Sequence, residues 1–291
     1  MKFTLRQLDV FIETARTANV SRAAEQLNLS QSAASNALKE LENQYEIQLF
    51  DRVGKRLVLN DLGRAIRPLA EALLDQAREL EQHLQQRSAL GSLNIGATLT
   101  IGNYLAVGIL TRYRAAYPQA SVRLQVANTA SIIEKVANFE LDLGMIEGEL
   151  NHPDLTLTPW TKDELVVFCS PQHPLAEKGT LSDEDILATD WILREPGSGT
   201  RQTFDRAMHG LIAELKPPLE LQHTEAIKRA VESGLGLGCL SRLSVEDNIR
   251  RGALVPLELP GRPLDRQFYL VQHQHKFLSK ALQEWINFCE V

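Results

Sequence analysis

The feature that most restricts this chain is a change of pattern near residue 91. Before it, apolar residues recur three and four apart, and Gly54 is the single glycine of the first sixty residues. That spacing predicts helices. After it, short aliphatic runs alternate with helical stretches, the texture of α/β sheets. One chain of 291 residues with both textures predicts more than one domain. Hydrophobic residues at 44% supply sizeable cores and exclude a disordered or collagen-like chain. No apolar run approaches the ~18–20 residues of a membrane span. Met1 to Asp9 hold no apolar signal segment, so a cytoplasmic protein with no membrane partner is expected.

In the helical part, Leu5, Leu8, Phe11, Ile12 and Ala15 share one face. Val20 to Leu27 makes a second short helix with Ala23, Ala24 and Leu27 inward. Asn28-Leu29-Ser30 reads as a turn, with Ser30 as the N-cap of a third helix over Gln31 to Tyr45. That helix should bury Ala34, Ala37, Leu38 and Leu41 and present Gln31, Ser32, Ser35 and Asn36. Helix, short turn, then a helix opening on small polar residues is the helix-turn-helix arrangement. A glutamine can bond an adenine edge, and serine lets the helix seat deeply in the major groove. Ser30 and the amides of the first turn are placed to hold a phosphate. Asp51 to Leu59 predicts a hairpin turned at Gly54, with Arg52, Lys55 and Arg56 as cations near its tip, a wing beside the recognition helix. Each half alone also fits a solvated helix face or a charged hairpin; their order favours DNA.

Net charge is −6, which speaks against nucleic acid until it is divided. Residues 1–90 are neutral, and the whole excess lies in 91–291. Within the first part, Asp51 to Arg67 carries Arg52, Lys55, Arg56, Arg64 and Arg67 against Asp51 and Asp61, a local basic strip. Asn60 then caps a long helix from Asp61 to about Gln86. Leu62, Ile66, Leu69, Leu73, Ala77, Leu80 and Leu84 form a near-heptad seam that predicts pairing with a second copy, although packing onto its own domain has the same spacing. Pro68 is a candidate kink.

Beyond Gly91, strands are expected at Leu93–Ala97, Val122–Val126, Leu141–Ile146, Leu165–Cys169, Trp191–Leu193, Leu237–Leu240 and Phe268–Val271. Helices are expected from Ile101 to Ala116 and from Ser131 to Phe139. Cys169, Cys239 and Cys289 are too scattered for a disulfide framework and read as buried thiols, with redox sensing as the alternative. Gly197-Ser198-Gly199-Thr200-Arg201 lacks the Lys-Ser/Thr of a P-loop, and Gly234 to Gly238 fits a helix C-cap entering a strand. His273-Gln274-His275 offers two imidazoles and no third ligand, so neither a metal nor a cofactor is expected. No catalytic residue is assigned.

Across essentially its whole length the chain resembles the LysR-type transcriptional regulators. The likeness rests on Leu5 to Phe11, Ser21 to Leu27, Ser30 to Ser35, Leu49 to Arg52, Tyr117-Pro118, Glu140 to Gly144 and Ser170 to Leu175. Within that family it is most similar to the YeiE-type, sulfite-responsive branch, through Leu49 to Val58, Thr100 to Tyr104, Trp191 to Glu195 and Gly197 to Arg201. Carbon-fixation regulators look like the next neighbours.

The resemblance implies an all-α winged helix-turn-helix domain over 1–60 and a linker helix over 61–90. It implies an α/β effector domain over 91–291 with two lobes, like periplasmic binding proteins: 91–161 with 266–291, and 162–265. It further implies a homodimer through the linker helix, a homotetramer, double-stranded DNA with an interrupted palindrome, and RNA polymerase as a further candidate partner. Gln31, Ser32, Ser35 and Lys39 should meet DNA from the recognition helix and Arg52 from the wing, while Asn36 stands where many members have Arg.

In a two-lobed domain, Thr98 and Thr100, with Ile101 beside them, open a helix after the first strand, and Gly197, Ser198, Gly199, Thr200 and Arg201 open one in the other lobe. Facing helix starts favour an anion. Asn128 and Thr129 offer a third polar wall, although each threonine alone would equally serve as a cap. Glu147 at a strand end would repel anions or order Arg194. Such a cleft suits a compact oxyanion or carboxylate better than a bulky hydrophobe; the resemblance implies a small anionic effector, sulfite or a related oxyanion first, and a phosphorylated metabolite or carboxylate second. An enzyme on the same two-lobed fold is the remaining alternative.

Overall fold

The computed structural model describes residues 2–54, 56–84, 91–148, 152–216 and 218–290. Contacts divide the chain into two units, Met1–Gly91 with Gln274–Gln283, and Ser92–His273 with Glu284–Val291.

The first unit opens with α1 (Leu5–Thr17), where Thr4 and Gln7 form a reciprocal capping box. It continues with α2 (Val20–Gln26) and α3 (Gln31–Tyr45), the latter capped by the Ser30 hydroxyl. Asn28 takes a left-handed conformation (φ 54°) that lets the chain reverse between the two. An antiparallel hairpin follows, β1 (Phe50–Val53) and β2 (Arg56–Leu59), joined past Gly54, whose φ of +63° suits a residue without a Cβ. Its core gathers Val10, Phe11, Ala24, Ala34, Leu38 and Leu49. Leu5, the first residue of α1, departs from the expected apolar face and stays 45% exposed, while Val10, outside that expected set, is buried. Ala37 is buried only in part.

α4 (Asp61–Leu84) corrects the expected seam. Ile66 and Leu73 pack against the core of their own unit, beside Ala70 and Leu74, which the heptad reading passed over. Leu62, Leu69 and Leu80 alone of that set are exposed among the residues with described side chains. The helix therefore carries two apolar stripes, since 3.6 residues per turn separates positions that a strict heptad merges. Arg16 holds the buried Glu71 carboxylate with contacts of 2.8 and 2.9 Å, and Lys276 bonds Asp75 at 2.8 Å. Burial pushes the Glu71 carboxyl up against the pull of Arg16, Arg67 and Lys276. The expected end of the helix near Gln86 lies outside the described residues.

The second unit runs β3 (Ser92–Thr98), α5 (Leu99–Ile101), a π-helical turn (Gly102–Ala106), α6 (Val107–Ala116), β4 (Ser121–Ala127), α7 (Thr129–Ala137) and β5 (Leu143–Glu147). The helix expected from Ile101 thus starts two residues earlier, at the end of β3. Then come β6 (Leu155–Cys169), α8 (Asp183–Ala188), β7 (Trp191–Leu193), α9 (Gly199–Ala207) and β8 (Leu219–Glu220). The unit continues with α10 (Thr224–Glu232), β9 (Leu237–Ser241), α11 (Arg242–Arg250), β10 (Val255–Leu257) and β11 (Asp265–His273), and closes with the part of α12 (Lys280–Cys289) that follows Gln283.

Nine strands join in the order β4-β3-β5-β11-β6-β9-β7-β8, with β10 on β6. β3 lies parallel to β4 and β5, and β7 parallel to β8 and β9. β6, expected only from Leu165, extends back to Leu155; its first part pairs with β11 and Leu165–Phe168 pair with β9. These two long antiparallel strands join a parallel group on each side. Separate cores confirm two lobes: Ile132, Val136 and Val271 in one, and Trp191, Phe204 and Leu237 in the other. The α/β texture therefore becomes one sheet with two cores.

Candidate functional site

Parallel pairing of β3 and β5 brings their C-terminal ends, Thr98 and Glu147, to one edge. There the Thr98 hydroxyl donates to Glu147 Oε1 at 3.1 Å, and the Thr100 amide donates to the same oxygen at 3.2 Å. From the other lobe, the Thr200 hydroxyl donates to Glu147 Oε2 at 3.0 Å. Arg266, at the start of β11, completes the set: Nη1 donates to Glu147 Oε2 at 2.7 Å and Nε to Asp163 at 2.6 Å. Its Nη1 and Nη2 also reach the Thr200 and Thr100 hydroxyls, at 3.0 and 3.5 Å. The Glu147 carboxylate thus sits where the sequence placed an anion.

The lobes close around this carboxylate. Thr129 donates its hydroxyl to the Glu147 carbonyl and accepts the Gly199 amide, each at 3.1 Å. Gly199 lies so close to the end of β5 that a Cβ there would come within 2.3 Å of the Glu147 carbonyl oxygen. The Ala130 amide donates to the Gly197 carbonyl at 3.1 Å, and Asn128 Nδ2 donates to Glu195 at 3.1 Å. Asn128 Oδ1 caps α7, and Ser198 caps α9.

Thr98, Thr100, Ile101, Thr129, Glu147, Ser198, Gly199 and Thr200 are therefore brought together and buried, with Asn128 and Gly197 at the side. Two expectations change. Arg194 is not ordered by Glu147; it pairs with Glu195 at 2.8 Å, the carboxylate next to it in sequence. Arg201 does not join the cluster, because Asp205 one helical turn on and Glu220 hold its guanidinium, each at 2.8 Å. Sequence reasoning missed Arg266 and Asp163. The available signal was alternation: Arg266 shares the inward face of β11 with buried Phe268 and Leu270, and a cation there needs partners.

Burial pushes the Glu147 carboxyl up, but the Arg266 guanidinium and the bonds from Thr100, Thr200 and Thr98 outweigh it and hold the group below its ordinary range. A depressed carboxyl stabilises the fold above its unfolded value of 4.5, and that contribution is lost as pH falls through the folded value. Urea midpoints of the wild type should therefore drop between pH 6 and pH 3. Glu147→Gln should show a shallower drop over the same range. Parallel curves for the two proteins would exclude the assignment.

A cavity of about 460 Å³ opens beside the cluster, lined by Gly148, Lys162, Gln202, Arg206 and Arg266 among others. Burial pushes the Cys169 thiol up to about 11 and the Cys239 thiol up to about 12, so both are protonated at neutral pH and poor redox nucleophiles. His273 stacks on Phe139 at 4.1 Å, and no cluster of three metal-ligating side chains occurs among the described residues.

In the first unit, Gln31, Ser32, Asn36 and Lys39 are exposed along α3, and Ser35 is half-buried. The Ser30 hydroxyl accepts the Ala33 amide at 3.2 Å and lies 3.1 Å from the Ser32 hydroxyl. Arg52 and Arg56 are exposed on the hairpin, which the Leu57 amide ties to the Ala18 carbonyl at 3.0 Å. Lys55 lies outside the described residues. Of the basic strip, Arg64 is exposed and pairs with Asp61, and Arg67 is half-buried.

Residues 5–64 match the bacterial regulatory helix-turn-helix protein, lysR family, and residues 86–291 match the LysR substrate binding domain. The chain belongs to the LysR family. This LysR regulator is 43% identical to the HTH-type transcriptional regulator YeiE of Escherichia coli (strain K12), over 100% of this chain and 98% of that one. It is 33% identical to the RuBisCO operon transcriptional regulator of Allochromatium vinosum, over 97% and 93% of the two chains. A full-length OxyR variant from Pseudomonas aeruginosa shares the fold, with a TM-score of 0.73 at 21% identity over 100% and 94% of the chains. The two-domain plan is thus that of a transcription regulator with an effector-binding domain, and no described helix of this LysR regulator is long and apolar enough to cross a membrane.

Proposed function

We propose that this regulator reads a two-fold DNA site through α3 and the β1–β2 wing, and that a small oxyanion or carboxylate governs it by taking over donors now spent on Glu147. The observation that carries the reading is the convergence of two hydroxyls, a helix-start amide and a guanidinium on one buried carboxylate. Such a donor set is the coordination shell of an anion. The adjoining cavity of about 460 Å³ gives a small ligand room and an approach.

The sulfite-responsive branch that the sequence resembles puts sulfite first. The resemblance to carbon-fixation regulators, with a RuBisCO operon regulator among the relatives, puts phosphorylated metabolites and carboxylates second. The anion must bind two arrangements of the protein with unequal affinity, or it changes nothing. The exposed Leu62, Leu69 and Leu80 of α4 support pairing with a second copy, and a homotetramer extends that pairing.

The test combines ligand and DNA titrations of the full-length protein with sulfite, sulfate, thiosulfate, phosphoenolpyruvate and simple carboxylates. A true effector at a hundred times its Kd stabilises the fold by about 2.7 kcal/mol. Thr200→Val with Thr98→Val removes both hydroxyl donors of the cluster and should abolish that shift while sparing DNA binding. Gln31→Ala should relax operator choice by about 1–3 kcal/mol at the base it reads, whereas Arg52→Ala should weaken all sequences alike and flatten the salt dependence. A double variant that titrates like wild type retires the cleft assignment, and an unchanged ranking of operators in Gln31→Ala retires the recognition helix.

A further inference from the structure

Glu147 raises a question of selectivity, because an anion entering this cleft meets a carboxylate already in place. We infer that Glu147 restricts the effector to oxyanions that carry their own acidic hydrogen; this rests on the cleft reading proposed above.

The charge count around the site makes the case. Arg266 is shared by two buried carboxylates, Glu147 at 2.7 Å and Asp163 at 2.6 Å. The other arginines near the start of α9 are also matched: Arg194 pairs with Glu195, and Arg201 with both Asp205 and Glu220. Each of these three arginines already has a carboxylate, and carboxylates outnumber guanidiniums among them. A bare anion that gains the Thr100 amide and the Thr200 hydroxyl would therefore face Glu147 with none of these three guanidiniums unmatched.

A hydrogen between the two anions removes the conflict. A ligand O–H donates to a Glu147 oxygen, while the ligand's remaining oxygens accept from the Thr100 amide and the Thr200 hydroxyl. Glu147 keeps its contact with Arg266 throughout. Glu147 keeps Arg266 at 2.7 Å, and a carboxylate held by a guanidinium has only lone pairs to offer, so it serves as acceptor and the ligand must be the donor. Lys162 and Arg206 line the neighbouring cavity and favour anions at its mouth without selecting among them. Hydrogensulfite and hydrogenphosphate meet the requirement, whereas sulfate and sulfonates, which have no hydrogen to give at neutral pH, do not.

Two isosteric monoanions test this without any variant. At pH 6, methylphosphonate carries an O–H and methanesulfonate does not, while charge and shape are alike. Calorimetric titration of the full-length wild type should show methylphosphonate binding at least tenfold more tightly. In Glu147→Gln, whose amide can donate, the preference should vanish. Equal affinity of the pair for the wild type overturns the inference and leaves the cleft reading standing. A preference that persists unchanged in Glu147→Gln overturns it too, since the hydrogen would be read elsewhere. Failure of both monoanions, of phosphate and of sulfite to bind the wild type overturns the cleft reading itself, and this inference with it. Should Glu147→Gln fail to fold, the wild-type pair decides alone.

Discussion

Arg266→Met is expected to lower the melting temperature of the full-length protein by roughly 10 °C. The guanidinium is 1% exposed and neutralises two carboxylates, Glu147 and Asp163, that are themselves 2% and 3% exposed. Removing one partner of a buried ion pair costs about 3–5 kcal/mol, because the remaining charge has neither water nor counter-charge. For a unit of this size each kcal/mol moves the midpoint about 2–4 °C. The pH dependence supplies the signature. Without Arg266, the largest pull against burial is lost and the Glu147 carboxyl moves up, so its charged form costs the variant more at neutral pH than it costs the wild type. Protonation relieves that strain, and the deficit relative to wild type should shrink as pH falls from 7 to 4. Scanning calorimetry across that range checks it; a deficit that stays constant with pH would falsify the ion-pair account in favour of lost packing against Phe268, whose ring lies 5.1 Å from the guanidinium.

The second large effect is expected from Gly199→Ala. This glycine is needed for space: an added Cβ would lie 2.3 Å from the Glu147 carbonyl oxygen and 2.6 Å from its carbon, both backbone atoms of β5. Neither can swing aside, so α9 must retreat. Retreat stretches the Gly199 amide bond to Thr129 and the Thr200 hydroxyl bond to Glu147, now 3.1 and 3.0 Å. Overpacking of about 1–3 kcal/mol and two weakened hydrogen bonds of about 1 kcal/mol each together predict a loss of about 3–5 kcal/mol. Amide exchange at residues 199–203 should accelerate, and the response to anions should disappear while DNA binding survives. Retained stability and an unchanged anion response would show that the lobes do not need this close approach.

Much of the first unit was legible because its signals are local. The caps at Ser30 and Asn60, the turn at Asn28 and the wing at Gly54 each depend on residues within a few positions of one another. α4 was legible only as a helix. Its heptad spacing fitted both a partner and its own core, and burial of Ala70, Leu74 and part of Leu73 shows that the domain took one stripe. In the second unit, the threonines and glycines at strand-to-helix junctions were readable as donors. Arg201 misled because a carboxylate four residues on, together with Glu220, satisfies it outside the cluster.

The chain's own order of residues determined its elements, its helix-turn-helix, its α/β texture and the family to which it belongs, since periodicity and capping act over one or two turns. What gathers around Glu147 was decided only in three dimensions. Glu147 and Arg266 are 119 positions apart, and no spacing rule links them. They meet because β11 returns beside β5, and because a carboxylate stripped of water must find every donor within reach. Desolvation set the requirement, and topology chose the partners.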